Sequence, residues 1–139
     1  MRTHFSLTLP TIIVCLLLQT KHDLNETTWK LLRIEDDKKN LIYSFRNDEI
    51  EKTPTAFISF KDSSFHAFVV NSIITKCRVT SDSVIFGKES MSTLVNCFPK
   101  QRELENLIGH ISNCSYRVKQ DTLFLNDSKS NLFFTFIKK

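Results

Sequence analysis

Short apolar runs, several of them alternating with polar residues, cover most of the chain after residue 28. They are rich in Phe, Ile, Val and Leu, and Asp, Asn and Ser separate one run from the next. Those polar residues form turns by hydrogen bonding to their own backbone, and short strands at intervals of about 8–12 residues are typical of an antiparallel β domain. We predict strands at 29–34, 41–45, 56–60, 65–70, 76–80, 83–86, 116–119, 122–125 and 132–137.

One segment has a helical period instead. Its apolar residues recur at i, i+3, i+4 and i+7, which places them on one face of a helix. They are Leu104, Leu107, Ile108 and Ile111. Pro99 suits the first turn, Asn113 is a plausible end, and Glu105 is assigned to the polar face. The predicted fold class is therefore mainly β (α+β): an antiparallel, barrel-like sheet with one amphipathic helix inserted before the last three strands.

The last predicted strand, 132–137, is apolar on both faces. An exposed edge strand of this kind would pair with other chains, so the pattern favours a central or closed position in the sheet. We expect its phenylalanines to belong to the core. Lining of a ligand cavity by the same rings is the alternative.

Composition narrows the classes of function. A chain of 139 residues is one domain, and its two glycines cannot supply the phosphate-binding loops of nucleotide enzymes or the nucleophile elbow of α/β-hydrolases. The net charge is +4, and basic residues alternate with acidic ones rather than forming a stripe. We therefore expect no nucleic-acid partner.

The first twenty residues are typical of a secretory signal. Arg2 precedes an uncharged apolar run, 5–18, which is too short to span a bilayer, and a polar exit follows it. An uncleaved anchor is the alternative, and lipidation of Cys15 is disfavoured because Ile12, Ile13 and Val14 precede it. We expect residues 21–139 to form a single domain, a secreted or periplasmic (cell-envelope) monomer with no membrane span.

Several local strings, in order, resemble the META domain family, which includes HslJ-like heat-shock proteins of the cell envelope. The opening 28–31 resembles the T-W-x-L strand of the family, 58–60 the strand before its glycine-rich centre, and 93–97 its T-x-x-x-C string before a helix. The closing strands match in order and spacing. The positions that carry the resemblance are Trp29, Asn71, Thr93 and Cys97.

The centre of the chain departs from the family pattern. Where the family has G-x-x-x-C-N, this chain has Ala67 for the glycine and Val70 for the cysteine, and only Asn71 remains. The resemblance implies a compact antiparallel barrel with one helix, an extracytoplasmic location, a link to stress tolerance and no established catalytic activity. The chain is expected to be a divergent member.

Three cysteines remain after the predicted signal, an odd number for a secreted chain. Cys97 and Cys114 flank the predicted helix, about 20 Å long, whereas a disulfide needs Cα atoms within about 7 Å. Cys77 is expected near the position of the cysteine that the family has and this chain lacks. We therefore expect a Cys77–Cys97 disulfide with Cys114 as a free thiol; three reduced thiols remain the alternative.

Other candidate sites are sparse. Three N-x-S/T sequences make Asn25, Asn113 and Asn126 possible glycosylation sites. His66 and His110 have no second histidine or carboxylate at the spacing of metal ligands. We expect no catalytic residue, no metal and no cofactor.

Two functions of different classes remain. The first is a non-catalytic META-like protein with a stress-related, interaction or inhibitory role, which binds an unknown protein partner through its surface. The alternative is a lipocalin-like carrier of a small apolar ligand, suggested by Trp29 near the first strand and by the abundant Phe. Against the carrier, Thr27 stands where lipocalins have Gly. A cavity of several hundred Å³ would favour the carrier.

Overall fold

The computed structural model describes residues 24–45 and 54–139, so the predicted signal at 1–20 and Cys15 lie outside the described residues. Within those ranges the chain forms nine strands and one helix, α1. Their bounds are β1 Thr27–Asp36, β2 Leu41–Ser44, β3 Phe57–Lys61, β4 Ser64–Phe68, β5 Ser72–Val79, β6 Ser83–Ser92, α1 Pro99–Gly109, β7 Cys114–Lys119, β8 Thr122–Asp127 and β9 Leu132–Lys138. No helix among the described residues is long and apolar enough to cross a membrane.

Eight of the strands close into an antiparallel barrel. Neighbours in the chain pair from β3 through β9, and β1 pairs with β3 on one side and β9 on the other. The short strand β2 pairs with the second half of β1 as the predicted first hairpin. The helix α1 stands between β6 and β7 in the chain, before the last three strands. The predicted fold class is confirmed.

Strand β9 takes the closing position that its sequence favours. It pairs with β8 along one edge and with β1 along the other, so neither edge is left open. Phe134 and Phe136 point into the barrel and are fully buried, while Phe133 and Ile137 point outward. Closure of the sheet removes the free edge that would make this strand prone to aggregation.

Large side chains fill the centre of the barrel. Each strand alternates, so that every second residue points inward. The largest fully buried side chains include Trp29, Leu31, Ile58, Phe60, Leu123, Leu125, Phe134 and Phe136. Leu104 and Ile108 of α1 join the same core, which places the apolar face of the helix against the sheet, as predicted.

Tight turns form without glycine. Asp62 and Ser63, between β3 and β4, have φ values of 51° and 59°, in the left-handed region that hairpin turns require. Lys39, Gln120 and Asn131 adopt the same conformation in other loops. The prediction that Asp, Asn and Ser replace glycine as turn formers is confirmed for the β3–β4 hairpin.

Two strands are longer than the sequence predicts. Strand β5 begins at Ser72, so residues 72–75, which we had assigned to a turn, pair with β4 and β6. Strand β6 continues to Ser92 rather than ending at Phe86. Its extension is polar and exposed, so it lacks the apolar alternation by which a half-buried strand is recognised.

The helix is shorter than predicted. It ends at Gly109 rather than near Asn113, because after His110 N–H donates to Asn106 O the next N–H, that of Ile111, donates to Ile108 O and tightens the last turn. Ile111 still reaches the core from the residues that follow the helix.

Candidate functional site

The turn between β4 and β5 contains a buried polar side chain, Asn71. Only 3% of its surface is exposed. A buried amide costs free energy unless its donors and acceptors are satisfied, so its partners determine what this turn does.

Glu105 of α1 accepts hydrogen bonds from this turn. Its Oε1 accepts the backbone N–H of Asn71 at 2.6 Å and that of Val70 at 3.1 Å. Both carboxylate oxygens lie 3.2 Å from Asn71 Nδ2. Glu105 is itself 5% exposed, so the assignment of this residue to the polar face is wrong. One buried carboxylate therefore connects the helix to the β4–β5 turn.

Asn71 also holds the segment that connects β6 to the helix. Its Oδ1 accepts the backbone N–H of Val95 at 2.7 Å and the Thr93 hydroxyl at 2.9 Å, and its Nδ2 donates to Val95 O at 3.0 Å. Thr93 in turn accepts Ser72 N–H at 3.0 Å. We name this network the Asn71 cluster. Its members are Asn71, Thr93, Val95, Cys97 and Glu105.

Cys97 completes the cluster through a weak contact. Its thiol donates to Glu105 Oε2 at 3.8 Å. Three of the positions that carry the family resemblance thus belong to one hydrogen-bond network, in which Asn71 and Cys97 contact Glu105 and Thr93 contacts Asn71. The fourth, Trp29, lies apart in the barrel core, where its Nε1 donates to Thr27 Oγ1 at 2.8 Å.

The electrostatics of Glu105 reflect these donors. Burial raises the pKa of its carboxyl, but the hydrogen bonds from Asn71 and Val70 and the positive charge of Arg102 outweigh burial, so the pKa lies below its ordinary value. Glu105 is therefore ionised at neutral pH, and the N–H groups of the β4–β5 turn donate hydrogen bonds to a charged carboxylate.

The expected Cys77–Cys97 disulfide is absent, because Cys77, Cys97 and Cys114 are all free thiols. Cys97 contacts Glu105 beside Asn71, at one end of β5, whereas Cys77 is buried further along the same strand. Six residues of strand span about 20 Å, far more than the ~7 Å between Cα atoms that a disulfide allows. The prediction of this bridge is corrected, and Cys114 is the free thiol that we expected.

Alkylation distinguishes the three thiols. Cys97 is partly exposed, whereas burial raises the pKa of Cys77, and burial together with the charge of Asp127 raises that of Cys114 to about 12. We expect iodoacetamide to modify Cys97 first in the folded protein and all three thiols in denaturant without reductant, as read from peptide masses. The expectation would be contradicted if Cys77 and Cys97 resisted modification in denaturant until reductant was added.

A segment with exposed apolar side chains lies directly on the Asn71 cluster. It comprises residues 91–98, from the end of β6 to the residue before α1. Leu94 is 91% exposed, Phe98 76% and Met91 70%. The backbone of Val95 is meanwhile held by two hydrogen bonds to Asn71. We call it the 91–98 segment. The resemblance drew attention to residues 93–97 but not to an exposed apolar surface there, although four apolar residues between Ser92 and Pro99 were a signal.

A second buried carboxylate, Asp127, anchors the chain after the helix. It accepts the Ser112 hydroxyl at 2.8 Å, Ser112 N–H at 3.3 Å and Lys129 N–H at 3.1 Å. Burial raises its pKa, but these hydrogen bonds, with one from Ser130, lower it further than burial raises it. Asp127 therefore holds the loop before β7 at the end of β8, which is a structural role.

Acid should destabilise the protein through these two carboxylates. Their pKa values are lower in the folded chain than in the unfolded chain, so their stabilisation is present above the unfolded values and is lost as pH falls through the folded ones. We expect the free energy of unfolding, from urea denaturation, to fall below about pH 4. In E105A and D127A the free energy of unfolding should fall less steeply with pH. The control E103A, at an exposed residue, should show the same fall as the wild type.

The other predicted site residues are dispersed. Asn25 Oδ1 accepts Asp62 N–H, Asn113 Oδ1 accepts Phe86 N–H, and Asn126 is half-buried within β8. His66 is exposed on β4, and His110 follows the helix. Within the described residues, no group of three or more His, Cys, Asp or Glu side chains could hold a metal ion.

Three clefts of about 150 to 290 Å³ are among those at the surface of the described residues. One of about 290 Å³ lies beside the β3–β4 turn and reaches Cys77. The others, of about 150 Å³ and 260 Å³, lie between β6 and α1 and share Ile73, Ser90 and Gly109. The larger of these two extends to the Asn71 cluster and Leu94. The Asn71 cluster, the 91–98 segment and this groove therefore form one region of the surface, which is the candidate site.

Comparison with known proteins shows similarity of fold. No protein-family model and no curated protein matches the sequence. A protein from Burkholderia xenovorans, solved by NMR, superposes with a TM-score of 0.65 at 13% identity, over 84% of this chain and 83% of its own. A second NMR structure gives a TM-score of 0.52 at 16% identity, over 78% and 87% of the two chains. At these identities, the comparisons show that this chain shares its fold with both proteins.

Proposed function

We propose that this chain is a non-catalytic interaction protein that binds a protein partner through the 91–98 segment. The observation that carries the proposal is a backbone held in place beneath exposed apolar side chains. Val95 is bonded through both its N–H and its C=O to Asn71, while Leu94 and Phe98 project into solvent. Apolar groups exposed side by side mark binding surfaces more often than isolated ones do.

Fixing the segment before binding favours association. Ordering a flexible loop on binding costs roughly 0.5–1.5 kcal/mol for each immobilised side chain, and a pre-organised loop avoids part of that cost. Phenylalanine, as at exposed Phe98, is also among the residues that are enriched at protein interfaces relative to the rest of the surface. The Asn71 cluster therefore acts as a support for the binding surface.

The proposal includes an extracytoplasmic location and membership of the META family with a stress-related or inhibitory role. The apolar run at 5–18 supports the location. The connection of Asn71, Thr93 and Cys97 in one hydrogen-bond network with Glu105 supports the kinship, because it gives these positions a common structural reason. The lipocalin-like carrier has less support, since Trp29, Phe60 and Phe136 occupy the interior of the barrel.

Capture with matched variants tests the binding surface. The purified chain, the double variant L94S/F98S and the control I42S are immobilised and exposed to the extracellular or envelope fraction of the native source. Ile42 is an exposed apolar residue on β2, outside the candidate site. We expect a partner that the wild type and I42S retain and L94S/F98S loses.

Equal retention by all three proteins would overturn the proposed surface. Release of an apolar small molecule from the wild type in native mass spectrometry, with no protein retained, would favour the carrier instead. Circular dichroism of L94S/F98S provides the control for folding, because both side chains are exposed and their loss should leave the barrel intact.

A further inference from the structure

The outer half of β6 has an open edge beside the 91–98 segment. Strand β7 pairs with β6 only at Ser83 and Val84, and the N–H of Phe86 is taken by the Asn113 side chain. Strand β6 nevertheless continues to Ser92 and pairs with β5 on its other side. Along this half of β6, the described residues place no strand on the edge opposite β5.

The pairing with β5 shows which backbone groups face the open edge. Thr93 N–H donates to Ser72 O, so the backbone groups of Thr93 point toward β5. Backbone groups alternate between the two edges of a strand. The N–H and C=O groups of Met91 therefore also point toward β5, and those of Ser90 and Ser92 point away from it. Within the described residues, the N–H and C=O groups of these two serines therefore face the edge of β6 that no strand covers.

The groove beside this edge and the cleft next to it are lined by two exposed cations, Arg102 and Lys88, and by one carboxylate, Glu105, which is buried and already accepts the N–H groups of Asn71 and Val70. The far wall of the groove is formed by Arg102, Asn106 and His110, which lie one turn apart on one side of the helix and just beyond its end. Lys88 lines the adjoining cleft. Neither Lys88 nor Arg102 forms a salt bridge within the described part of the chain.

We propose that the partner supplies an extended segment that pairs with β6 at Ser90 and Ser92 as an added strand, with acidic side chains on the face toward Lys88 and Arg102. This inference rests on the proposed function and deepens it. Strand addition takes its affinity from main-chain hydrogen bonds and its specificity from alternate side chains. On the other face of the added strand, apolar side chains contact Met91, which is exposed and points away from the groove.

Synthetic peptides test the chemistry of the occupant. The probe is an acetylated and amidated eight-residue peptide of alternating Val and Glu, and its control alternates Val and Lys. We expect the Glu peptide to bind with a dissociation constant below about 1 mM and the Lys peptide about tenfold more weakly or worse. Amide shifts in NMR spectra of the full chain should centre on 88–94. Equal affinity of the two peptides, or shifts elsewhere, would overturn the proposal.

Backbone changes test the pairing itself. A Glu peptide N-methylated at alternate residues, on the edge that pairs, cannot donate to β6 and should bind about tenfold more weakly than one methylated on the opposite edge. S90P removes the open N–H while keeping the pairing with β5, and S90A keeps that N–H. We expect S90P to lose peptide binding and S90A to retain it. If S90P does not fold, the two N-methylated peptides decide alone, and equal affinity of the two would overturn strand addition.

The outcomes separate this inference from the proposed function. If S90P retains the captured partner and L94S/F98S loses it, the binding surface stands and strand addition falls. If the wild-type chain sediments as a dimer and S90P as a monomer, a second copy occupies the edge, and the proposed acidic partner segment is overturned. Loss of the captured partner by both variants, together with binding of the Glu peptide, supports both proposals.

Discussion

Replacement of Phe136 by alanine should lower the free energy of unfolding by about 4 kcal/mol, the largest effect that we expect from a single change. Phe136 is fully buried in the strand that closes the barrel, and its ring stacks near that of Phe134. Removal of the ring leaves a cavity between β1 and β8, the two neighbours of β9. Urea denaturation, followed by the fluorescence of Trp29, measures the loss.

Phe133 of the same strand provides the matched control. It carries the same side chain but points outward and is 41% exposed. F133A should therefore change the free energy of unfolding by less than about 1 kcal/mol. Equal losses in F136A and F133A would mean that β9 is not oriented as the closed barrel requires.

Replacement of Glu105 by alanine should cost about 3 kcal/mol. The change leaves the backbone N–H groups of Asn71 and Val70 without their charged acceptor in a buried environment. It also removes the connection between α1 and the β4–β5 turn, on which the 91–98 segment depends. Urea denaturation measures the stability, and the amide spectrum of residues 93–97 measures the order of the segment.

Two variants separate the charge of Glu105 from its position. E105Q keeps one acceptor oxygen and should lose less stability than E105A. E103A changes an exposed residue of the same helix and should stay within about 0.5 kcal/mol of the wild type. If E105A is as stable as E103A, the Asn71 cluster does not support the fold.

The barrel could be predicted because most of its strands, its turns and its helix are indicated by short sequence patterns. Alternating apolar residues, Asp and Ser at turns and a helical period after Pro99 each indicate an element from a few neighbouring residues. The extension of β6 could not be recognised in this way, since Lys88, Glu89 and Ser90 are polar and exposed. Pairing of Ser90, Met91 and Ser92 with β5 keeps this extension in the sheet, and pairing is a property of the whole sheet.

The candidate site was predicted only in part. Asn71, Thr93 and Cys97 were noticed through a resemblance, without any indication that they meet. Glu105 was assigned to the solvent face, because a carboxylate next to an apolar stripe is usually solvated. Its burial depends on donors from a turn 34 residues away in the chain, which no local pattern reveals. The Cys77–Cys97 bridge was wrong for the same reason, since distance along β5 determines which cysteines can meet.

The central claim is that Asn71 holds the backbone of the 91–98 segment in place while its side chains remain exposed. Hydrogen exchange at the amides of Val95 and Leu94 tests it most directly. Val95 N–H is bonded to Asn71 Oδ1 at 2.7 Å, whereas the described residues provide no acceptor for Leu94 N–H. We predict slow exchange at Val95 and fast exchange at Leu94 in the wild type, with the protection of Val95 lost in N71A. Equally fast exchange at both amides in the wild type would contradict the account.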